Sequence, residues 1–119
     1  MLTKDKMVFD YQVLDNVYED ILFKRKSVEI RLLNDKSQKI NVGDYLLFHR
    51  LNDLKKIKVR VTKKEIFNSL GDLFMKIDTK KILTNSSQKD IENLLKNIYK
   101  EAFYQSKFVA FYFEYEEEL

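Results

Sequence analysis

The residues best suited to chemistry in this chain are gathered in KRKSVEIR, residues 24 to 31. From Val28 onward, apolar and charged residues alternate: Val28, Ile30 and Leu32 face one way, Glu29 and Arg31 the other, as in a strand. Two steps along a strand cover about 7 Å, so Glu29 and Arg31 lie side by side on one face. Lys26 stands just before the strand, and its long stem reaches over that face. A carboxylate between Lys and Arg is held ionised, and cations with donors to spare suit a phosphate or the edge of a base. The same letters also describe a solvated ladder of surface ion pairs, which contributes little to stability.

Other chemistries have less to work with. The chain has no Cys and a single His, His49, so thiolate and His-cluster metal sites are excluded, and no metal or cofactor is expected. Metal-assisted phosphoryl transfer wants convergent carboxylates, and Asp44 and Asp53 fall in segments that read as turns. Glu29 is therefore the acid that remains, on the same strand face as Arg31. No apolar run approaches the roughly 20 residues of a membrane span. The opening MLTKDKMVFDYQV lacks the apolar core of a signal peptide, so a cytoplasmic location is expected.

Charge supports a polyanionic partner. The net charge is +3, but Glu114, Glu116, Glu117 and Glu118 cluster at the end; without them the remainder carries about +7. Residues 114–119 read as a short acidic tail on a single domain spanning 1–119.

Periodicity supplies the elements that must position these groups. Residues 7 to 12 suit a short strand, and Leu14, Val17, Tyr18, Ile21 and Leu22 form one stripe of an amphipathic helix. The strand from Val28 follows, then turn chemistry in NDKSQ and VGD, then the apolar run from Tyr45 to Phe48. Ile57, Val59 and Val61 alternate with Lys58, Arg60 and Thr62, which predicts a hairpin with that run. Ser69 with Asp72, and Ser87 with Asp90, mark two helix starts. KFVAFYFEY, residues 107 to 115, is apolar on both faces, as in a strand covered on both sides. The expected fold is α+β: a small curved sheet or barrel of about five to six strands with three flanking helices.

Lys26, Glu29 and Arg31 spell K-x-x-E-x-R, and the stretch SVEIRLLNDKSQKINVGDYLLF continues with a basic turn and V-G-D before an apolar strand. In these features, and in IFNSLGDLF further on, the chain resembles the ASCH domain of the PUA-like superfamily over roughly residues 14 to 113. The family's glycine, two positions before the signature lysine, is replaced here by Lys24, at a point where helix turns into strand.

The resemblance implies a PUA-like barrel that binds RNA or a modified nucleoside in a cleft beside the signature strand. On that reading Lys26 and Arg31 engage a phosphate or base carbonyl, and Glu29 accepts from an exocyclic amine. Lys24, Arg25, Lys56, Lys58 and Arg60 supply salt-sensitive attraction, while Tyr45, Phe48 or Tyr11 offers a stacking face. The alternative is a hydrolase. In one branch of the family, an amidohydrolase acting on acylated cytidine pairs the signature Lys with a Thr; here Lys26 is kept but Glu29 occupies the Thr position, so that triad does not carry over. In a second, ribonuclease-like branch, Lys26 and Arg31 would stabilise the phosphate and Glu29 would act as base. A regulatory protein partner is a further reading.

Overall fold

The computed structural model describes residues 6–51 and 53–119. Strand β1 (Val8–Gln12) leads into α1 (Asp15–Leu22), β2 (Val28–Leu32) and the short α2 (Asp35–Gln38). A hairpin of β3 (Tyr45–His49) and β4 (Lys56–Phe67) comes next, then α3 (Leu70–Lys76), α4 (Thr79–Ile82) and α5 (Gln88–Tyr99). A 3-10 turn over Lys100–Tyr104 precedes β5 (Phe108–Glu118). The expected α+β architecture and curved sheet are present, with five strands in the order β1-β3-β4-β5-β2.

The turn chemistry of the sequence appears as caps. Ser87 and Asp90 close a reciprocal capping box at the start of α5, and the Ser69 hydroxyl accepts from the Asp72 amide at α3. NDKSQ, expected as a turn, is instead the helical turn α2, because Asn34 and Ser37 form a capping box of their own. The expectation of three helices was therefore short: α2 and α4 have four residues each, too few to show a helical stripe.

Residues 114–118, expected as a solvated acidic tail, are the outer half of β5, paired with β4 from Ile57 to Arg60. Arg60 donates to Glu114 at 2.7 Å and the Tyr18 hydroxyl to Glu118 at 2.8 Å, so two of the four carboxylates have partners, one on the sheet and one on α1. Read alone, the charge run hid a strand.

The sheet curls. β4 and β5 slip register between Lys58 and Val59 and again between Val61 and Lys63, and such bulges bend a strand pair and increase its twist. The concave face holds one apolar cluster, including Tyr18, Ile21, Leu46, Phe48, Val59 and Phe111. A second cluster lies on the outer face of β2 and β5, where Val28, Ile30, Leu32 and Ala110 pack against Leu73, Ile91 and Leu95 of the helices. β5 and β2 are therefore covered on both faces, which is why KFVAFYFEY alternates so little. β1 and β2 are the two edges of the sheet and do not pair with each other.

Helix α1 ends in a Schellman motif: the Arg25 amide bonds the Asp20 carbonyl at 2.8 Å and the Lys24 amide bonds the Ile21 carbonyl at 3.0 Å. Lys24 occupies the left-handed position with φ of 63°. This is where the resembled family has glycine, and a side chain there carries a steric cost. Lys24→Gly is expected to raise stability by about 0.5–1 kcal/mol. Urea unfolding measures it, and a lower midpoint for the glycine variant would contradict this account of the turn.

Candidate functional site: a charged trio on an open seam

The turn after α1 is fastened by an acid that the sequence did not single out. Asp20 is buried; its carboxylate accepts from Arg25 Nε at 2.9 Å and from the Thr84 amide at 2.8 Å, and its carbonyl accepts the Arg25 and Lys26 amides. Burial opposes its charge, yet the Thr84 and Arg25 bonds hold its pKa below the usual carboxylate value. Asp20 thereby sets where Lys26 begins.

Lys26 turns inward. Its Nζ donates to the Val28 and Ile82 carbonyls, each at 2.7 Å, and lies 3.1 Å from Glu29 Oε1. An ammonium has three donors, and all three are occupied. The expectation that Lys26 keeps a donor for a ligand is corrected here: it is an internal tie between β2, α4 and Glu29. Burial lowers its pKa, with Glu29 opposing that shift.

Glu29 and Arg31 point to the concave face, since they pair in register with Phe111 and Val109 of the inner cluster. Arg31 Nε donates to Glu29 Oε2 at 2.6 Å, and its Nη2 lies 2.5 Å from the same oxygen. Burial alone would raise the Glu29 pKa, but Arg31 and Lys26 overcome it and hold the carboxylate below its ordinary range. Two cations against one anion leave the trio with one positive charge in surplus. Arg31 retains Nη donors with no protein partner among the described residues, and its guanidinium lies 4.1 Å from the centroid of the Tyr11 ring. Tyr11 belongs to β1, so this contact carries the sheet across from one edge to the other.

The seam between those edges is not filled. A cavity of about 290 Å³ opens there, with Lys26, Glu29 and Arg31 at its polar end and Gln12 and Val13 on the β1 side. Leu94, Ile98 and Tyr99 of α5 line its apolar wall. Leu14 and Ile98, each 54% exposed, also border it. Such a volume lies near the lower end for small-molecule sites, enough for a base-sized guest. Ile91 and Leu95 of α5 pack in the second apolar cluster, while the neighbouring Leu94, Ile98 and Tyr99 face the cavity.

The remaining sequence candidates do not border this cavity. Arg25 is bound to Asp20 and edges a separate polar recess with Glu19, Thr84 and Asn85. Lys24 Nζ lies 5.2 Å from the Tyr115 ring. On the hairpin, Leu46, Phe48, Ile57 and Val59 face the core, so Tyr45, Lys58 and Arg60 face outward by alternation. Lys58 sits 4.2 Å over the Tyr45 ring, and Arg60 is paired with Glu114. Phe48 is fully buried and offers no stacking face. Tyr11 is covered by Arg31 and by Lys36, whose Nζ is 4.0 Å from the ring centroid. Its hydroxyl is buried without a protein partner among the described residues, and burial raises its pKa to about 12.

Asp44 and Asp53 serve turns: Asp44 accepts from the Met7 and Asn41 amides, and Asp53 binds Arg50 and the Lys55 amide. Among the described residues no group of three or more His, Asp or Glu side chains converges as a metal site. None of the helices among them is long and apolar enough to cross a membrane.

No family model matches the chain. Among curated proteins, the chain is 29% identical over 73 residues to Endonuclease MutS2 of Borreliella burgdorferi, a match that covers 61% of this chain and 9% of that protein. Among solved structures, hypothetical protein PH0355 is similar with a TM-score of 0.79 at 21% identity, over 92% of this chain and 100% of the other. Protein PF0455 from Pyrococcus furiosus has a TM-score of 0.72 at 24% identity, over 93% and 99% respectively. Protein EF3133 from Enterococcus faecalis V583 has a TM-score of 0.63 at 15% identity, over 100% of this chain and 85% of that one. These likenesses establish the fold.

Proposed function

We propose that this chain is an ASCH-type, PUA-like domain that binds RNA or a nucleoside-like ligand in the seam cavity. The observation that carries the reading is a Lys–Glu–Arg trio, with Lys26 and Glu29 buried and one positive charge in surplus, lining an apolar-walled cavity of about 290 Å³. Apolar walls suit the face of a base, and convergent polar groups suit its edge. Arg31 is the ligand-facing cation; Glu29 keeps lone pairs for an exocyclic amine; Lys26 holds Glu29 in place. The Lys24 conformation, at the family's glycine position, supports the same assignment. The short likeness to a protein named an endonuclease is compatible with a nucleic-acid setting.

The hydrolase alternative draws less from the site. A carboxylate whose pKa is held low by two cations is a weak base, and a lysine with every donor engaged is poorly placed to give or take a proton. Incubating the full chain with cellular RNA and with free and acylated nucleosides, followed by mass spectrometry of retained species and products, tests both readings. Retention without conversion is the expected result, and turnover would transfer the site to the alternative.

The outward placement of the hairpin cations gives a further expectation. Replacing Lys58 and Arg60 together by Ala should change nucleoside affinity by less than about twofold, because solvent screens charges beyond the cavity wall. A tenfold loss in titration calorimetry would place the ligand on the outer face.

A further inference from the structure

The cavity borders the free edge of β2, and two of the carbonyls on that edge are already taken. Among the described residues, β2 pairs on one side with β5 and has no strand on the other. The Phe113 amide bonds the Ser27 carbonyl and the Leu33 amide bonds the Lys107 carbonyl, so odd-numbered residues of the strand address β5. Val28, Ile30 and Leu32 therefore turn their backbone groups to the free edge. The Val28 carbonyl is taken by Lys26 Nζ at 2.7 Å, and the Leu32 carbonyl by the buried Ser37 hydroxyl at 2.7 Å. Between these two capped carbonyls lies Ile30, which borders the cavity while its side chain belongs to the helical cluster.

We infer that the Ile30 backbone is the reading edge of the site and selects a base carrying a ring lactam, as in uracil, hypoxanthine or guanine. This inference rests on the proposed nucleoside-binding function and deepens it. The Ile30 N–H donates to the ring carbonyl, and the ring N–H donates to the Ile30 carbonyl. One residue of an edge strand presents a donor and an acceptor side by side, which is what a lactam complements. Leu94, Ile98 and Tyr99 cover a face of the ring, and Arg31 takes a second carbonyl or a phosphate oxygen. Adding a peptide strand to the same edge would call on alternate residues in succession. The capped carbonyls of Val28 and Leu32 deny it that run, so the edge suits a single planar group better than an extended chain.

The test titrates the full chain with uridine, inosine and guanosine, with N3-methyluridine and N1-methylinosine, and with cytidine and adenosine, while following the Ile30 amide by 15N NMR. Lactam nucleosides should bind and shift that amide downfield, and methylation of the lactam nitrogen should weaken binding at least about tenfold, since it deletes a hydrogen bond and leaves a buried carbonyl unpaired. Equal binding of methylated and unmethylated forms, or a preference for cytidine or adenosine, overturns lactam recognition and leaves nucleoside binding standing. Failure of every nucleoside to bind at millimolar concentration overturns lactam recognition, and failure of cellular RNA to be retained as well overturns the binding function. An extended peptide that shifts the Ile30 amide when nucleosides do not overturns the inference in favour of strand addition.

Discussion

Glu29→Gln lowers the stability of this protein by about 3–5 kcal/mol, the loss seen when one partner of a buried ion pair is removed and the other is left charged. The group left behind is Lys26, whose ammonium is buried and whose remaining contacts are two neutral carbonyls. Arg31 loses its carboxylate as well, but its side chain is 16% exposed and recovers part of its hydration. The acid dependence follows from the same geometry. The folded Glu29 pKa lies below its ordinary 4.5, so its contribution is present above that pH and is lost as pH falls through the folded value. The Gln variant should lack that part of the acid sensitivity. Denaturant unfolding of both proteins between pH 7 and the acid range measures both effects. A loss below about 1 kcal/mol at neutral pH would mean that the trio is hydrated and weakly coupled. Replacing Lys26 by Met in the Gln background should recover only part of the loss, because it removes the unpaired buried charge but takes the donor away from the Val28 and Ile82 carbonyls.

Arg31→Ala is expected to reduce nucleoside or RNA affinity by about a hundredfold or more, the scale of losing a charge-assisted contact inside a desolvated site. Arg31→Lys should recover only part of this, because an ammonium cannot hold Glu29 and a ligand with one planar fork. The fold should persist in both variants, since Lys26 still neutralises Glu29 at 3.1 Å. Calorimetric titration beside a thermal melt separates the two quantities. Unchanged affinity in a folded Arg31→Ala protein would remove the trio from the binding surface and leave it as architecture.

Much of this was legible in one dimension. The switch from a helical stripe over Leu14 to Leu22 to alternation from Val28 marks the α1–β2 junction, and the caps at Ser69 and Ser87 mark helix starts. These signals are local: each depends on neighbours within a turn or a pleat. What stayed hidden was non-local. Residues 114–118 look like a solvated tail until β4 pairs with their backbone and Arg60 and Tyr18 bind Glu114 and Glu118. Asp20 is unremarkable among the helix acids until Thr84, 64 residues away, donates to it.

The sequence by itself settled that Glu29 and Arg31 share a face and that a lysine precedes them, because strand alternation and chain order allow nothing else. Tertiary structure decided what each does. Lys26 found the Ile82 carbonyl on α4 and turned inward, while Arg31 crossed an unpaired seam to Tyr11. Tyr45, Lys58 and Arg60 went to the outer face, since the curl of the sheet gave the inner one to the core. A pleat fixes direction relative to the strand, whereas only packing between distant elements determines which direction opens on a cavity.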